Sequence, residues 1–225
     1  MTSFKRAHSE EQRAERRRMI LGTATAMLAE MPVAQVSLNE LSRRVGLAKS
    51  NVLRYFESRE AVLLDLLDSA TREWLEDLRD EFAAGIDAKA TVAERGDQLA
   101  AVLVASIEAR PVLCDLVSSQ AAVLEHNVSP RIAAKYKRAA IENVGILVRL
   151  IVEHVPELGE RDAFRFAAAT VMVTGAIWTH ARPSAAMLAA YEADPALASM
   201  RLDFGATLRD TLELLITGLL ERPSR

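Results

Sequence analysis

Between Ser37 and Phe56 (SLNELSRRVGLAKSNVLRYF) the chain has room only for two short helices and a tight turn. Ser37 and Glu40 stand in the S-x-x-E relation of a capping box, in which the hydroxyl satisfies one orphan N–H and the carboxylate another. Leu38, Leu41 and Val45 then fall three and four residues apart, giving a buried stripe, with Arg43 and Arg44 on the other side. Gly46 follows where a left-handed residue ends a helix at least cost. Leu47 is expected to plug the angle, and Lys49 to Tyr55 to form a second helix with Val52 and Phe56 turned inward. Its other face, Lys49, Ser50, Asn51, Arg54 and Tyr55, mixes cations with amide and hydroxyl groups that bond phosphates and base edges. A short helix of this kind fits the major groove. An ordinary αα-corner with a solvated basic face has the same spacing, and the spacing alone leaves both readings open.

The segment continues as ESREAVLLDLL, and Ser37 to Leu67 as a whole resembles the N-terminal domain of the TetR family of repressors. The resemblance rests on Ser37, Ser42, Gly46, Lys49, the Tyr55-Phe56 pair and the Ser58-Arg59-Glu60-Ala61 opening of the next helix. Two positions depart from the pattern: Ala48 stands where a serine cap is common, and Leu53 where the family often has a phosphate-binding tyrosine.

The resemblance implies an all-α fold of about nine helices. A three-helix helix-turn-helix DNA-binding domain would occupy residues 1–57, and a helical ligand-binding and dimerisation domain residues 58–225. It also implies a ligand-responsive repressor that binds a palindromic double-stranded DNA operator as a homodimer and is released by a small-molecule effector of unknown chemistry. Ser37, Lys49, Tyr55 and Arg59 would lie near phosphates and Asn39, Asn51 and Arg54 near base edges, with Ser50 on the same exposed face.

Composition agrees with a DNA-reading head on a non-binding body. Half of the 225 residues are apolar and only 5% aromatic, which favours packed helices over sheets. The net charge of −3 argues against a wholesale polyanion binder, but it is unevenly spread. Residues 1–60 hold 11 Lys/Arg against 7 Asp/Glu, and residues 61–225 hold 17 against 24. The single cysteine, Cys114, excludes an intrachain disulfide framework, and residues 1–18 are too charged for a signal peptide. The longest apolar run, Phe166 to Trp178, is short beside the roughly 20 residues of a membrane span. A cytoplasmic setting without membrane contact is therefore expected.

Residues 1–8 are expected to form an arm carrying Lys5, Arg6 and His8, followed by a helix capped by Ser9 and Gln12 and running to about Met31. Ile20, Ala24, Met27 and Leu28 make its inward face, and Arg16, Arg17 and Arg18 its solvated side. A long helix from Ser58 to about Ala84 buries Leu63, Leu67, Ala70, Trp74, Leu78 and Phe82 and is shared by the two domains. Helical patterns follow at about 91–109, 111–125, 130–154, 161–181 and 202–221, with a long connection at 182–200 that has room for a short helix.

The last two patterns carry more apolar surface than one subunit easily covers. By resemblance they pair across a two-fold, with Leu208, Leu212, Leu215, Ile216 and Leu219 at the seam; a monomeric core is the alternative. Polar residues on apolar helices mark a candidate effector pocket: Gln120, His126, Asn127, Asn143, Thr170 and Thr174, with Trp74 and Trp178 as walls. Each is equally readable as a satisfied core or surface group.

No catalytic residue, cofactor or metal is expected. His8, His126, His154 and His180 lie in separate elements without ligand spacing, and no phosphate loop or nucleophile elbow occurs. Cys114 reads as a small buried apolar residue. A helical-bundle carrier or enzyme with a fortuitous helix corner is the competing class, and DNA binding separates the two.

Overall fold

The computed structural model describes residues 2–222, with side chains from Glu11 onward. Every regular element among them is helical: α1 (Thr2–Glu30), α2 (Leu38–Val45), α3 (Lys49–Val52), α4 (Arg59–Gly85), α5 (Val92–Glu108), α6 (Pro111–Ser119), α7 (Pro130–His154), α8 (Gly159–Ala181), α9 (Ala185–Ala193), α10 (Pro195–Ala198) and α11 (Phe204–Leu220). The two short helices α9 and α10 occupy the long connection. A π-helical turn, Gln120–Leu124, continues α6, where a regular helix was expected as far as Glu125.

Helix α1 starts at Thr2, so Ser9 lies inside it rather than capping it, and residues 2–8, expected as an arm, belong to the helix. Nothing between Thr2 and Ser9 is a helix breaker, and the helix propagates through. The roles expected for the side chains of Lys5, Arg6 and His8 fall outside the described residues.

Two compact units emerge. The first comprises residues 1–69 and 119–137, the second residues 70–118 and 138–225. In the first unit Ile20, Ala24 and Met27 of α1 pack with Leu41, Val52, Phe56 and Leu63, all fully or nearly fully buried, and Leu124 and Tyr136 join from the later segment. Each such large side chain, once buried, contributes about 1.5–3 kcal/mol. Ser129 caps α7 as its sequence suggests, its hydroxyl accepting from the Ile132 N–H at 3.4 Å. The same residue donates its N–H to Glu57 Oε1 (2.6 Å) and its hydroxyl to Oε2 (2.8 Å), tying the start of α7 to the residue just after Phe56.

In the second unit α11 packs on α5 and α8. Leu99 and Leu103 of α5, Phe166 of α8 and Leu208 and Leu212 of α11 are fully buried there. Gly175 permits a close approach: a Cβ at this position would sit 3.3 Å from Ser118 Cα, so α8 lies directly against the end of α6. Thr91 and Glu94 form the complete capping box of this unit at the start of α5. Among the described residues no helix is long and apolar enough to cross a membrane.

Candidate nucleic-acid interface

Local chemistry fixes the pair α2–α3. The Ser37 hydroxyl accepts from the Glu40 N–H at 3.1 Å and starts α2. The reciprocal half of the expected capping box is absent, because the Glu40 carboxylate turns to Arg43 (Nε 2.9 Å, Nη2 2.6 Å) and Arg44 (Nε 2.9 Å). Two charged donors on the following turn outcompete one backbone N–H. The hydrogen bonds from Arg43 and then Arg44 hold the Glu40 carboxyl down at about 2. Arg44 also reaches Glu30 at 2.7 Å, which ties α2 to the end of α1.

At the turn Gly46 adopts φ 73°, ψ 26°, and Leu47 N–H donates to the Ser42 carbonyl at 3.1 Å, closing a Schellman motif. Helix α3 is shorter than expected. It closes at Val52, and the chain continues to Tyr55 in turns bonded i to i+3 (Arg54 N–H to Asn51 O, 3.2 Å; Tyr55 N–H to Val52 O, 2.9 Å).

Val52 and Phe56 anchor the inner side of this element, and Lys49, Ser50, Asn51 and Arg54 are exposed on the outer side. Asn39 is exposed at the start of α2. Among the described residues these five side chains make no hydrogen bond or ion pair, in contrast to most charged groups around them. Leu53 is 41% exposed beside them, an apolar position where a tyrosine would offer a hydroxyl.

Two arginines are fixed structural members instead. Arg17 was expected in solvent, but it is half-buried: it pairs with Asp65, donates to the Tyr55 carbonyl at 2.7 Å and lies over the Phe56 ring at 4.1 Å. Arg59, expected at a phosphate, turns inward. Its guanidinium donates to the Val33 carbonyl and to Glu60 Oε1 (3.3 Å), so it braces the α1–α2 connection against the first turn of α4. Apart from the adjacent Glu60, each of these partners lies well beyond one helical turn along the chain. Sequence spacing therefore gives no sign of either brace.

Between α1 and the end of α3 lies a cleft of about 620 Å³, lined by Gln12, Arg13, Glu15, Arg16, Met19, Arg54 and Tyr55. Its one carboxylate, Glu15, is engaged by Arg18 (Nε 3.1 Å, Nη2 2.5 Å).

The effector candidates divide. Trp74 is buried and donates its indole N–H to the Ser106 hydroxyl at 3.0 Å, and Thr170 donates to the Phe166 carbonyl of its own helix at 2.9 Å. Asn143 is buried, while Gln120 is half-buried and donates to Glu125 Oε1 at 2.8 Å. His126 and Asn127 are exposed. Thr174 Oγ1 and Trp178 Nε1, one turn apart on α8, are buried with no hydrogen-bond partner. Phe204 meets the Trp178 ring edge-on at 5.0 Å, and the Arg182 guanidinium lies over it at 4.8 Å. Cys114 is buried, and desolvation pushes its thiol up to about 12.

The expected dimer seam needs correction. Leu208, Leu212 and Ile216 are at most 1% exposed, taken up by α5 and α8 of the same chain, and Leu215 and Leu219 are half-buried. The stripe is real, but α5 covers it. The large apolar residues that α8 and α11 leave exposed are Phe164 (55% exposed), Met172 (68%) and Leu214 (75%).

Two family matches cover most of the chain. Residues 20–66 match the family described as bacterial regulatory proteins, tetR family, and residues 68–223 match the tetracyclin repressor-like C-terminal domain. Over 59 residues the chain is 37% identical to the HTH-type transcriptional regulator EthR of Mycobacterium tuberculosis. That alignment covers 26% of this chain and 27% of the relative. Among solved structures, a possible TetR family transcriptional regulator from Streptomyces coelicolor A3(2) is similar at TM-score 0.58 and 20% identity, covering 90% of this chain and 98% of that one. The regulator FadR of Bacillus subtilis, solved in complex with stearoyl-CoA, is similar at TM-score 0.55 and 17% identity, covering 89% and 97%.

Proposed function

Because this chain belongs to the TetR family of transcriptional regulators, with a helix-turn-helix at its N-terminal end and a helical C-terminal domain, we propose that it is a homodimeric repressor that binds a palindromic operator and is released by a small-molecule inducer. The observation that carries the reading is the outer face of α3 with Asn39 of α2. Its polar side chains have no partner within the described molecule, although the neighbouring arginines Arg17, Arg44 and Arg59 are all engaged. Asn39, Asn51 and Arg54 read base edges in the major groove, while Ser37, Lys49, Ser50 and Tyr55 position the backbone. Arg59 is withdrawn from that set. Residues 1–57 carry the reading role and residues 58–225 the effector and dimer roles.

The dimer forms through the exposed apolar residues Phe164 and Met172 of α8 and Leu214 of α11, which a second copy related by a two-fold buries. The effector is largely apolar with one hydrogen-bonding group. Thr174 and Trp178 offer it two buried, unsatisfied polar atoms within an apolar helix. The stearoyl-CoA held by the Bacillus subtilis neighbour supports an acyl chain as the first ligand class to try. Such a ligand releases DNA only through a preference for one of two head spacings.

Selection of bound duplexes from a random pool tests the whole reading. An enriched palindrome is expected, and a single unrepeated motif or no enrichment would overturn it. Titration of acyl-CoAs against the recovered duplex, followed by Trp74 and Trp178 fluorescence, tests the inducer. A ligand that quenches the tryptophans without changing operator affinity rules out release by that ligand.

A further inference from the structure

The 620 Å³ cleft between α1 and the end of α3 is invisible to sequence spacing, because its two walls come from residues 12–19 and 54–55. Gln12, Glu15, Arg16 and Met19 repeat at three and four residues, so one stripe of α1 forms the first wall. Arg54 and Tyr55 form the second. Three guanidinium groups, from Arg13, Arg16 and Arg54, line the space. The carboxylate that would neutralise them is engaged by Arg18, which is not among the lining residues. The wall at Tyr55 is preset, since Arg17 holds the Tyr55 carbonyl from beneath and is itself held by Asp65. Like charges do not gather beside a rigid wall to stabilise a fold; they cost energy there until an anion arrives.

We propose that this cleft seats the sugar-phosphate backbone of DNA, with Arg13 and Arg16 of α1 gripping phosphates beside the bases that α3 reads. The DNA-contacting surface thus extends from the helix-turn-helix onto the preceding helix. Arg54 stands at the common edge, one side toward the groove and the other toward the seat. Guanidinium groups pair with phosphate oxygens in a two-pronged geometry, and a phenol hydroxyl adds a neutral donor. The contacts position and do not specify, so they act on every sequence alike.

The proposal rests on DNA binding by this protein, and the experiment separates the two. Wild type, Arg13→Gln/Arg16→Gln, Arg13→Lys/Arg16→Lys and Arg18→Gln are titrated as full-length protein, over a series of salt concentrations. The ligands are the duplex recovered by selection and a scrambled one. The double Gln variant is expected to lose about tenfold on both duplexes near 0.1 M salt, with a log–log salt slope shallower by about 0.9 for each phosphate no longer neutralised. The double Lys variant is expected to keep most of the slope, whereas Arg18→Gln should lower it in part, because the Glu15 carboxylate it releases then faces the cleft's guanidinium groups. In a scan replacing single phosphates by neutral methylphosphonates, one backbone position should weaken wild type but not the double Gln variant. An unchanged slope, a loss confined to the selected duplex, or a scan without such a position overturns the seat. The scan on wild type stands even if the double Gln variant fails to fold by circular dichroism. If wild type binds neither duplex, the DNA reading itself falls. If Asn51→Ala weakens binding while Arg13 and Arg16 are neutral, only the seat does.

Discussion

The first unit and the second leave different polar side chains without a partner. Around α2 and α3 the charges are on the surface and most are committed: Arg17 to Asp65 and Tyr55, Arg44 to Glu30 and Glu40, Arg59 to Val33 and Glu60. The exposed side chains of Asn39, Lys49, Ser50, Asn51 and Arg54 have no partner among the described residues. The second unit has its own ion pairs, Arg95 with Glu157 and Arg110 with Asp77 and Glu81, but Thr174 Oγ1 and Trp178 Nε1 of α8 are buried without a partner. An exposed unpaired group costs nothing in water, but a buried one forfeits a hydrogen bond at about 1–3 kcal/mol. The first arrangement suits the DNA contact proposed above. The second stores a small deficit that an enclosed ligand would relieve.

The largest effect separates burial from exposure on one helix. Leu212 is fully buried between α11, α5 and α8, whereas Leu214 is 75% exposed two residues on. Leu212→Glu places an uncompensated charge in a dry site and is expected to cost about 3–5 kcal/mol or more, unfolding the second unit. Leu214→Glu should leave the urea midpoint of a dilute sample almost unchanged yet dissociate the dimer in sedimentation. If both variants unfold, or if Leu214→Glu remains a dimer, the exposed residue has been misassigned.

Arg59 is a structural cation, and Lys49 is one proposed to face DNA. Arg59→Ala removes the donor to the Val33 carbonyl, and thermal unfolding should report a loss of about 1–3 kcal/mol for a hydrogen bond to a charged group. At temperatures where the head stays folded, the salt slope of DNA binding should not change. Lys49→Ala should do the reverse, leaving stability within about 0.5 kcal/mol and lowering the slope by about one unit per subunit. Asn51→Ala should cost about 1–3 kcal/mol at one base pair only. Equal losses for Asn51→Ala on matched and mismatched half-sites would remove it from the reading set.

How much of this was written locally can be judged residue by residue. Ser37 and Gly46 act through neighbours within five positions, and their roles in starting α2 and turning the chain follow from spacing; Val52 and Phe56, four apart, were legible as the inner side of α3, though not by the distant residues they meet. Arg17 and Arg59 act through Asp65 and Val33, far along the chain, and nothing in a helical period announces such partners. The stripe Leu208–Leu212–Ile216 was legible as buried but not as to what buries it, because hydrophobic periodicity names a face and never its cover. The cleft at Arg13 and Arg16 escaped for the same reason. The exposed side of a helix looks solvated until the element facing it is known.

The smallest effect concerns Glu40, where the head's economy of charge can be tested at a single carboxylate. Its pairing with Arg43 and Arg44 lowers its carboxyl from the ordinary 4.5 to about 2 in the folded state. A carboxyl depressed on folding contributes stability that is present above the unfolded value and lost as pH falls through the folded one. The advantage of wild type over Glu40→Gln should therefore be full at pH 6, decline below about 4.5 and vanish near 2. Glu40 lies at the surface, so raising the salt should shrink the difference at every pH. The same pair has a second consequence for DNA. With its carboxylate gone, Arg43, already exposed at the end of α2, becomes a free cation beside the reading face. Glu40→Gln should thus be slightly less stable at neutral pH yet bind a scrambled duplex slightly more tightly, with a steeper salt slope. Loss of both stability and non-specific affinity would mean that Glu40 holds α2 in its reading pose rather than restraining its charge.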